Sequence, residues 1–241
     1  MRVLVTPDYR TLSAEAAALV GKAVRTRPDL TLGLPTGKTP LAMYTELVRR
    51  HRDEGLDFSR VKTFNLDEYL GLSLDHPQSY HAYMRSRFFE HINIAPEQAH
   101  IPDGSPGIDS DVECSRYEDA IRDSGGIDLL IVGIGSNGHI AFNEPGSSFD
   151  SRTRVVSLAK ETMANARKYF AGDEEVPRRA ITVGIRTILE ARGVLLLASG
   201  QTKAGAVDHA LRGPVSESVP ASALRLHPNV IAILDEEARG R

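Results

Sequence analysis

Short apolar runs alternate with longer amphipathic stretches along nearly the whole chain. Runs rich in Val, Leu and Ile at 2–6, 30–34, 61–65, 127–133, 193–199 and 230–234 read as strands. Those at 127–133 and 193–199 are almost continuously apolar, as strands covered on both faces are. Helical patterns lie between them. An Ala-rich stretch at 14–26 follows Ser13, a good N-cap residue. A second at 40–52 starts with Pro40 and ends in basic residues, which suit the first turn and the carboxyl end of a helix. Segments 78–89, 111–123 and 203–211 read as further helices. This alternation predicts a three-layer α/β/α architecture, a mainly parallel, Rossmann-like open sheet with helices on both faces. No internal repeat, low-complexity tract or long linker divides the chain, so a single domain over 1–241 is expected.

Composition narrows the function classes. Of 241 residues, 41 % are hydrophobic and 25 % charged, an ordinary globular balance. A formal charge of -3 lacks the basic surface that a phosphate backbone demands, so nucleic acid is not an expected partner. A small anion needs only two or three local cations and stays open. No stretch reaches the roughly 18 apolar residues of a membrane span, and Pro7 and Asp8 interrupt the first apolar run too early for a signal peptide. Cys114 is the sole cysteine, so no intrachain disulfide can form and a reducing, cytoplasmic location is expected.

In open parallel sheets, ligands sit outside the carboxyl ends of the strands, and four strand ends carry concentrated polar or glycine chemistry. After the second run, Thr36, Gly37, Lys38 and Thr39 form a glycine turn that opens a helix. Such a turn presents free amides and the positive end of the helix dipole to a phosphate; the bland alternative is a helix capped by Thr39. A Walker loop does not fit, because Gly33 to Lys38 is one residue short of it. After the third run come Asp67 and Glu68. Adjacent residues leaving a strand point to opposite sides, so one carboxylate faces the crevice as a candidate base, unless the pair is merely solvated.

After the fourth run, Gly133, Gly135 and Gly138 match a dinucleotide fingerprint, but Pro145 and Gly146 interrupt the helix that it should open. The glycines read instead as a tight bend bringing backbone close to a ligand. Asn137, His139 and Glu144 follow, and an imidazole held by a carboxylate is a tuned acid/base near neutral pH. No metal-binding pattern is present. After the fifth run, Gly200 to Lys203 form a second glycine turn with a lysine, which opposes the helix dipole unless an anion sits between them.

Across nearly its whole length the chain resembles the glucosamine-6-phosphate deaminase (isomerase) family. The resemblance rests on the stretch from Leu32 to Pro40, Asn-Leu-Asp-Glu-Tyr at 65–69, His-Pro-Gln-Ser-Tyr at 76–80, Gly133 through Pro145, Ser-Arg-Thr-Arg at 151–154, Ala-Ile-Thr-Val-Gly at 180–184 and Leu-His-Pro at 226–228. It implies that glucosamine 6-phosphate is isomerised and deaminated to fructose 6-phosphate and ammonia, an aldose–ketose isomerase step grouped with the hydrolases of amino-sugar catabolism. Asp67 would carry the proton from C2 to C1, and His139 would open the ring, oriented by Glu144 and Asn137. Thr36, Gly37, Lys38, Thr39, Arg167 and Lys203 would bind the phosphate. Segment 151–179 resembles a mobile lid. No organic cofactor or metal is implied, the partner is a small sugar phosphate, and the state is a monomer or homo-oligomer.

Some positions depart from the family pattern. Lys38 replaces the usual Gly or Ser; Asn137 is within the pattern, since that position is Asp in some members and Asn in others, but it puts one charge fewer beside His139. Longer, hexameric members bind an N-acetylated sugar phosphate at a subunit interface; Arg154 matches a residue used there, but Val156 replaces a lysine and the sequence ends at Arg241. Weak or absent activation is expected. Three rival readings remain on the same fold: a 6-phosphogluconolactonase-type hydrolase, a galactosamine-6-phosphate deaminase and a non-catalytic sugar-phosphate sensor. The Asn-Leu-Asp-Glu-Tyr stretch favours the deaminase, and Asp67, His139 and Glu144 together speak against a mere sensor.

Overall fold

The computed structural model describes residues 1–172 and 174–240. In chain order its main elements are β1 (Arg2–Thr6), α1 (Tyr9–Thr26), β2 (Thr31–Leu34), α2 (Leu41–Glu54), β3 (Lys62–Asn65), β4 (Asp67–Tyr69), α3 (Tyr80–Arg87) and β5 (Ala99–His100). Then follow α4 (Ser110–Asp123), β6 (Leu129–Gly133), β7 (Arg154–Ser157), α5 (Lys160–Arg167), β8 (Arg179–Thr182), α6 (Ile185–Leu189), β9 (Val194–Ala198), α7 (Ala204–Arg212), β10 (Val230–Asp235) and α8 (Glu236–Arg239).

Every strand pair of the seven-stranded main sheet is parallel, in the order β1-β10-β9-β6-β2-β3-β5. Strand side chains alternate between its faces. Leu195 and Leu197 of β9 join a core with Leu12, Val20, Met43, Leu47 and Phe88, from α1, α2 and the end of α3. Leu196 and Ala198 join the opposite core with Tyr117, Ile121, Ile188 and Val207, from α4, α6 and α7. Helices thus cover both faces, as the apolar runs predict. The chain steps from β2 outward through β3 to β5, then returns to the other side of β2 as β6 and proceeds to β9 and β10. The order therefore reverses between β2 and β6, which is where such sheets open a crevice.

A smaller antiparallel sheet, β4-β8-β7, is absent from the sequence expectations. It grows directly out of the main one. Leu66 donates its N–H to the Leu34 carbonyl (3.2 Å) and accepts the Val183 N–H (2.7 Å), so one residue links the two sheets. β4 has three residues and β8 four, too short for a periodic signal, and the hydrophobic run at 155–158 is only partly buried.

The expected Ser13 cap is also corrected. α1 starts at Tyr9, because the Asp8 carboxylate accepts the Thr11 N–H (2.7 Å); Ser13 lies inside the helix and donates back to the Tyr9 carbonyl (2.8 Å). The third helix begins at Tyr80, capped by Ser79, and ends at Arg87. The helix expected from Lys203 starts at Ala204, behind a single 3-10 turn over Gln201–Lys203. No helix among the described residues is long and apolar enough to cross a membrane.

Candidate active site

The four strand ends singled out above belong to β9, β6, β2 and β3, which are consecutive neighbours in the sheet. At about 4.8 Å per strand, they span a crevice some 15 Å wide.

The turn after β2 is held from behind by three tyrosines. Tyr44 donates to the carbonyl of Pro35 (2.6 Å), Tyr83 to that of Gly37 (2.6 Å) and Tyr9 to that of Lys38 (2.9 Å). In a trans peptide the N–H points opposite its carbonyl, so the amides of Thr36, Lys38 and Thr39 face away from the scaffold. None of the three has a partner among the described residues. Gly37 adopts φ 99°, a conformation costly for a side chain. Thr39 does not cap the helix: Pro40 takes the cap position and makes no side-chain bond. What results is a row of unsatisfied donors suited to an anion. The Lys38 side chain leaves the turn and lies 5.8 Å from the ring of Tyr169.

Lys203 comes from the turn after β9, which Asp235 clamps by accepting from the Ser199 hydroxyl (2.5 Å) and the Gly200 N–H (3.1 Å). The ammonium is half-buried and has no acidic partner within ion-pair distance among the described residues. Burial pushes its pKa down, against the attraction of Glu161 and together with the repulsion of Lys168. A desolvated cation without a counter-ion is a strong receptor for a phosphate. Arg167 is not brought to this group. It is exposed and donates to the carbonyls of Glu174 (2.7 Å), Phe170 (3.4 Å) and Gly172, closing the carboxyl end of α5.

Asp67 and Glu68 part company, as their alternation requires. Glu68 accepts the N–H groups of Tyr69 (2.7 Å), Tyr80 (2.8 Å) and His81 (3.1 Å), anchoring the start of α3. Burial pushes its pKa up to about 7 even against those three bonds. Asp67 is 6 % exposed and accepts no hydrogen bond from the described residues. Burial first, and then the Glu68 carboxylate, raise it to about 8. A carboxyl with no structural duty, tuned near neutral pH, has the properties of a general base.

The loop after β6 folds back on itself. Ala141 is the sole non-glycine residue with positive φ (51°) among the described residues, and the turn it makes, closed by Asn143 N–H to Ile140 O (3.0 Å), returns Glu144 to His139. The carboxylate lies 3.3 Å from His139 Nδ1, within ion-pair range but without the alignment of a hydrogen bond. Asn137 donates to the same oxygen (2.8 Å) and accepts the His139 N–H (3.2 Å). Burial pushes Glu144 up, but His139, Thr162 and Asn137 together outweigh it and hold the pKa at about 2. The glycine reading is corrected at one point. A Cβ on Gly135 would collide with the His139 imidazole, so Gly135 makes room for that ring rather than for a ligand.

Three residues of this site have no role in the sequence expectations, although His76 and Ser136 lie within stretches that carry the resemblance. Thr162 donates to the second Glu144 oxygen (2.5 Å), Ser136 donates to Glu161 (2.6 Å), and His76 pairs with Glu174 (2.5 Å). All three contacts join the segment around α5 to the strand-end loops. Leu158, Ala166 and Phe170, with Met163, pack against Tyr69, Phe142 and Ala180. No group of three or more His, Cys, Asp or Glu suited to a metal occurs among the described residues.

Comparisons with known proteins point the same way. The family described as glucosamine-6-phosphate isomerases/6-phosphogluconolactonase matches residues 9–232. A glucosamine-6-phosphate deaminase of Halothermothrix orenii is 51 % identical over 238 residues, 99 % of this chain and 98 % of that protein. One of Bacillus velezensis is 50 % identical over 241 residues, 100 % and 99 %. A solved monomeric glucosamine-6-phosphate deaminase superposes with TM-score 0.96 at 47 % identity, covering 99 % of both chains. The 6-phosphogluconolactonase of Trypanosoma brucei, at TM-score 0.78 and 20 % identity over 98 % of this chain and 97 % of its own, shares the fold alone. With full-length identity near one half and the strand-end groups in place, the chain belongs to the glucosamine-6-phosphate isomerase/6-phosphogluconolactonase family and, within it, with the glucosamine-6-phosphate deaminases.

Proposed function

We propose that this enzyme converts glucosamine 6-phosphate to fructose 6-phosphate and ammonia, in the cytoplasmic breakdown of amino sugars. The observation that carries the reading is the Asp67 carboxyl, buried, unbonded and raised to about 8, together with a separately held His139–Glu144 pair on the loop after β6. Two separate proton carriers suit a reaction that opens a ring and then moves a proton between adjacent carbons. His139, steadied by Glu144 and Asn137, opens the pyranose. Asp67 takes the proton from C2, giving an enolamine, and returns it to C1. The resulting C2 imine adds water and expels ammonia. The amides of Thr36, Lys38 and Thr39, with Lys203, hold the phosphate and keep C1 and C2 against Asp67. The segment 154–170 serves as the lid that excludes water; the wider span 151–179 includes Asp173, which lies outside the described residues. Arg167 reaches the phosphate only by exchanging its carbonyl partners for it. A buried, unpaired Cys114 suits a reducing cytoplasm.

Ammonia release from glucosamine 6-phosphate, run beside hydrolysis of 6-phosphogluconolactone and deamination of galactosamine 6-phosphate, tests the assignment. Ammonia from the glucosamine epimer is the expected outcome, and lactone hydrolysis alone would sink it. Lys203→Ala is expected to raise KM, and the Kd of unreactive phosphorylated analogues, by about 10–100-fold, the worth of a charge-assisted bond. Equal loss toward unphosphorylated sugars would remove Lys203 from the phosphate.

Activation by an N-acetylated sugar phosphate is absent in this reading. Arg154 borders a cavity of about 460 Å³ with Ser147, Ser148 and Val156. Its guanidinium is already bonded to Asn143 (2.9 Å) and Ser147 (3.2 Å), and Val156 supplies no second cation. Rate curves are expected to be hyperbolic with or without N-acetylglucosamine 6-phosphate; a sigmoidal curve that the ligand straightens would overturn this.

A further inference from the structure

We propose that Thr162 is a positioning residue of the acid–base pair: seating of α5 over the crevice brings its hydroxyl onto Glu144 and completes the pair only when the site is covered. The inference rests on the deaminase reading above and adds to it a link between covering the substrate and readying the chemistry.

The two oxygens of Glu144 are served from different places. Oε2 takes the Asn137 amide (2.8 Å) and faces His139 (3.3 Å), both on its own loop. Oε1 takes the Thr162 hydroxyl (2.5 Å) and, more weakly, the Ala159 N–H (3.4 Å), both from the covering segment. Among the described residues, His139 is the one possible ion-pair partner within 4 Å of Glu144. Remove the helix, and Oε1 has no donor. Asn137 then holds the carboxylate at Oε2 alone, and the group can pivot about that one bond through its last torsion, a broad and soft one, so its alignment with the imidazole is no longer fixed. The next residue along the helix strengthens the case, since Glu161 accepts the Ser136 hydroxyl (2.6 Å) one position before Asn137. Two successive residues of the first helical turn therefore grip both ends of the loop that carries the pair. The apolar seat formed by Tyr69, Phe142, Ala166 and Phe170 supplies the affinity of closure, and the two polar contacts supply its register.

Thr162→Val keeps the shape and removes the donor; Thr162→Ser keeps the donor. With Val, kcat is expected to fall by about 10–100-fold, the worth of a hydrogen bond to a charged group, while KM changes little. Serine should restore kcat to within a few-fold. Carbon-13 titration of the Glu144 carboxyl needs no turnover. It should show Glu144 ionised down to low pH in the wild type and with Ser, but protonating at higher pH with Val. Equal losses for Val and Ser, a change confined to KM, or an unmoved Glu144 titration would overturn the proposal. A wild type that releases no ammonia would instead defeat the deaminase reading, leaving the carboxyl titration to decide the role of Thr162.

Discussion

Asp67→Asn is expected to bind substrate almost normally, to stop exchange of the C2 hydrogen with solvent, and to be more stable than the wild type above neutral pH. Turnover should fall by about 10²–10⁴-fold or more, the usual worth of a positioned acid/base. The stability effect follows from linkage. In the unfolded chain an Asp carboxyl loses its proton near 4; in the fold, burial and then Glu68 keep it protonated up to about 8. Between those values unfolding releases a proton, so rising pH favours the unfolded chain. Asp67 is neutral toward stability below pH 4, costs about 1.4 kcal/mol more per pH unit, and reaches a ceiling of roughly 5 kcal/mol by pH 8. An asparagine amide escapes that cost but leaves its own donors unbonded, which takes back about 1–3 kcal/mol. Urea midpoints at pH 5 and pH 8 check this. The variant should gain on the wild type as pH rises, and parallel pH dependences would show that Asp67 is not the buried titrating group.

How much of this arrangement could be read from the chain depends on the element. The main sheet was legible where β6, β9 and β10 run almost continuously through Val, Leu and Ile; the two-residue edge strand β5, Ala-His, gave no signal. Four of its ends carried the glycines, carboxylates, imidazole and lysine that a crevice needs, so Asp67, His139, Glu144 and Lys203 stood out from residue type and place alone. The small sheet was not legible. Its pairing of Asp67 with Thr182 and Tyr69 with Ala180 joins residues more than one hundred positions apart, through strands of three or four residues. Nor could residue type show that Tyr9, Tyr44 and Tyr83 hold the carbonyls of the glycine turn after β2, since each lies on a different helix and looks in sequence like an ordinary aromatic. Arg167 shows the opposite limit: the resemblance assigns it to the phosphate, whereas here its guanidinium is spent on three carbonyls of its own segment.

Gly135→Ala should disable the enzyme almost as completely as removal of His139, although a methyl group is all that is added. The glycine string 133-135-138 looks uniform, yet its members meet different surroundings. A Cβ on Gly133 has nothing within 4 Å, whereas one on Gly135 would lie 2.5 Å or less from three atoms of the His139 ring. Gly138 has φ 88° and would strain any side chain. Since real contacts do not compress that far, the imidazole must yield, and it can, being the movable member and partly open to the crevice. Its distance to Glu144 is already 3.3 Å, so a further displacement breaks the pair. Loss of the acid proposed to open the ring should lower kcat by about 10²–10³-fold, while Gly133→Ala stays near wild type. A double-mutant cycle identifies the cause: in a His139→Ala background, Gly135→Ala should cost nothing more, because the clash has lost its victim. Full additivity of the two substitutions would show that Gly135 serves the fold of the loop rather than the placement of His139.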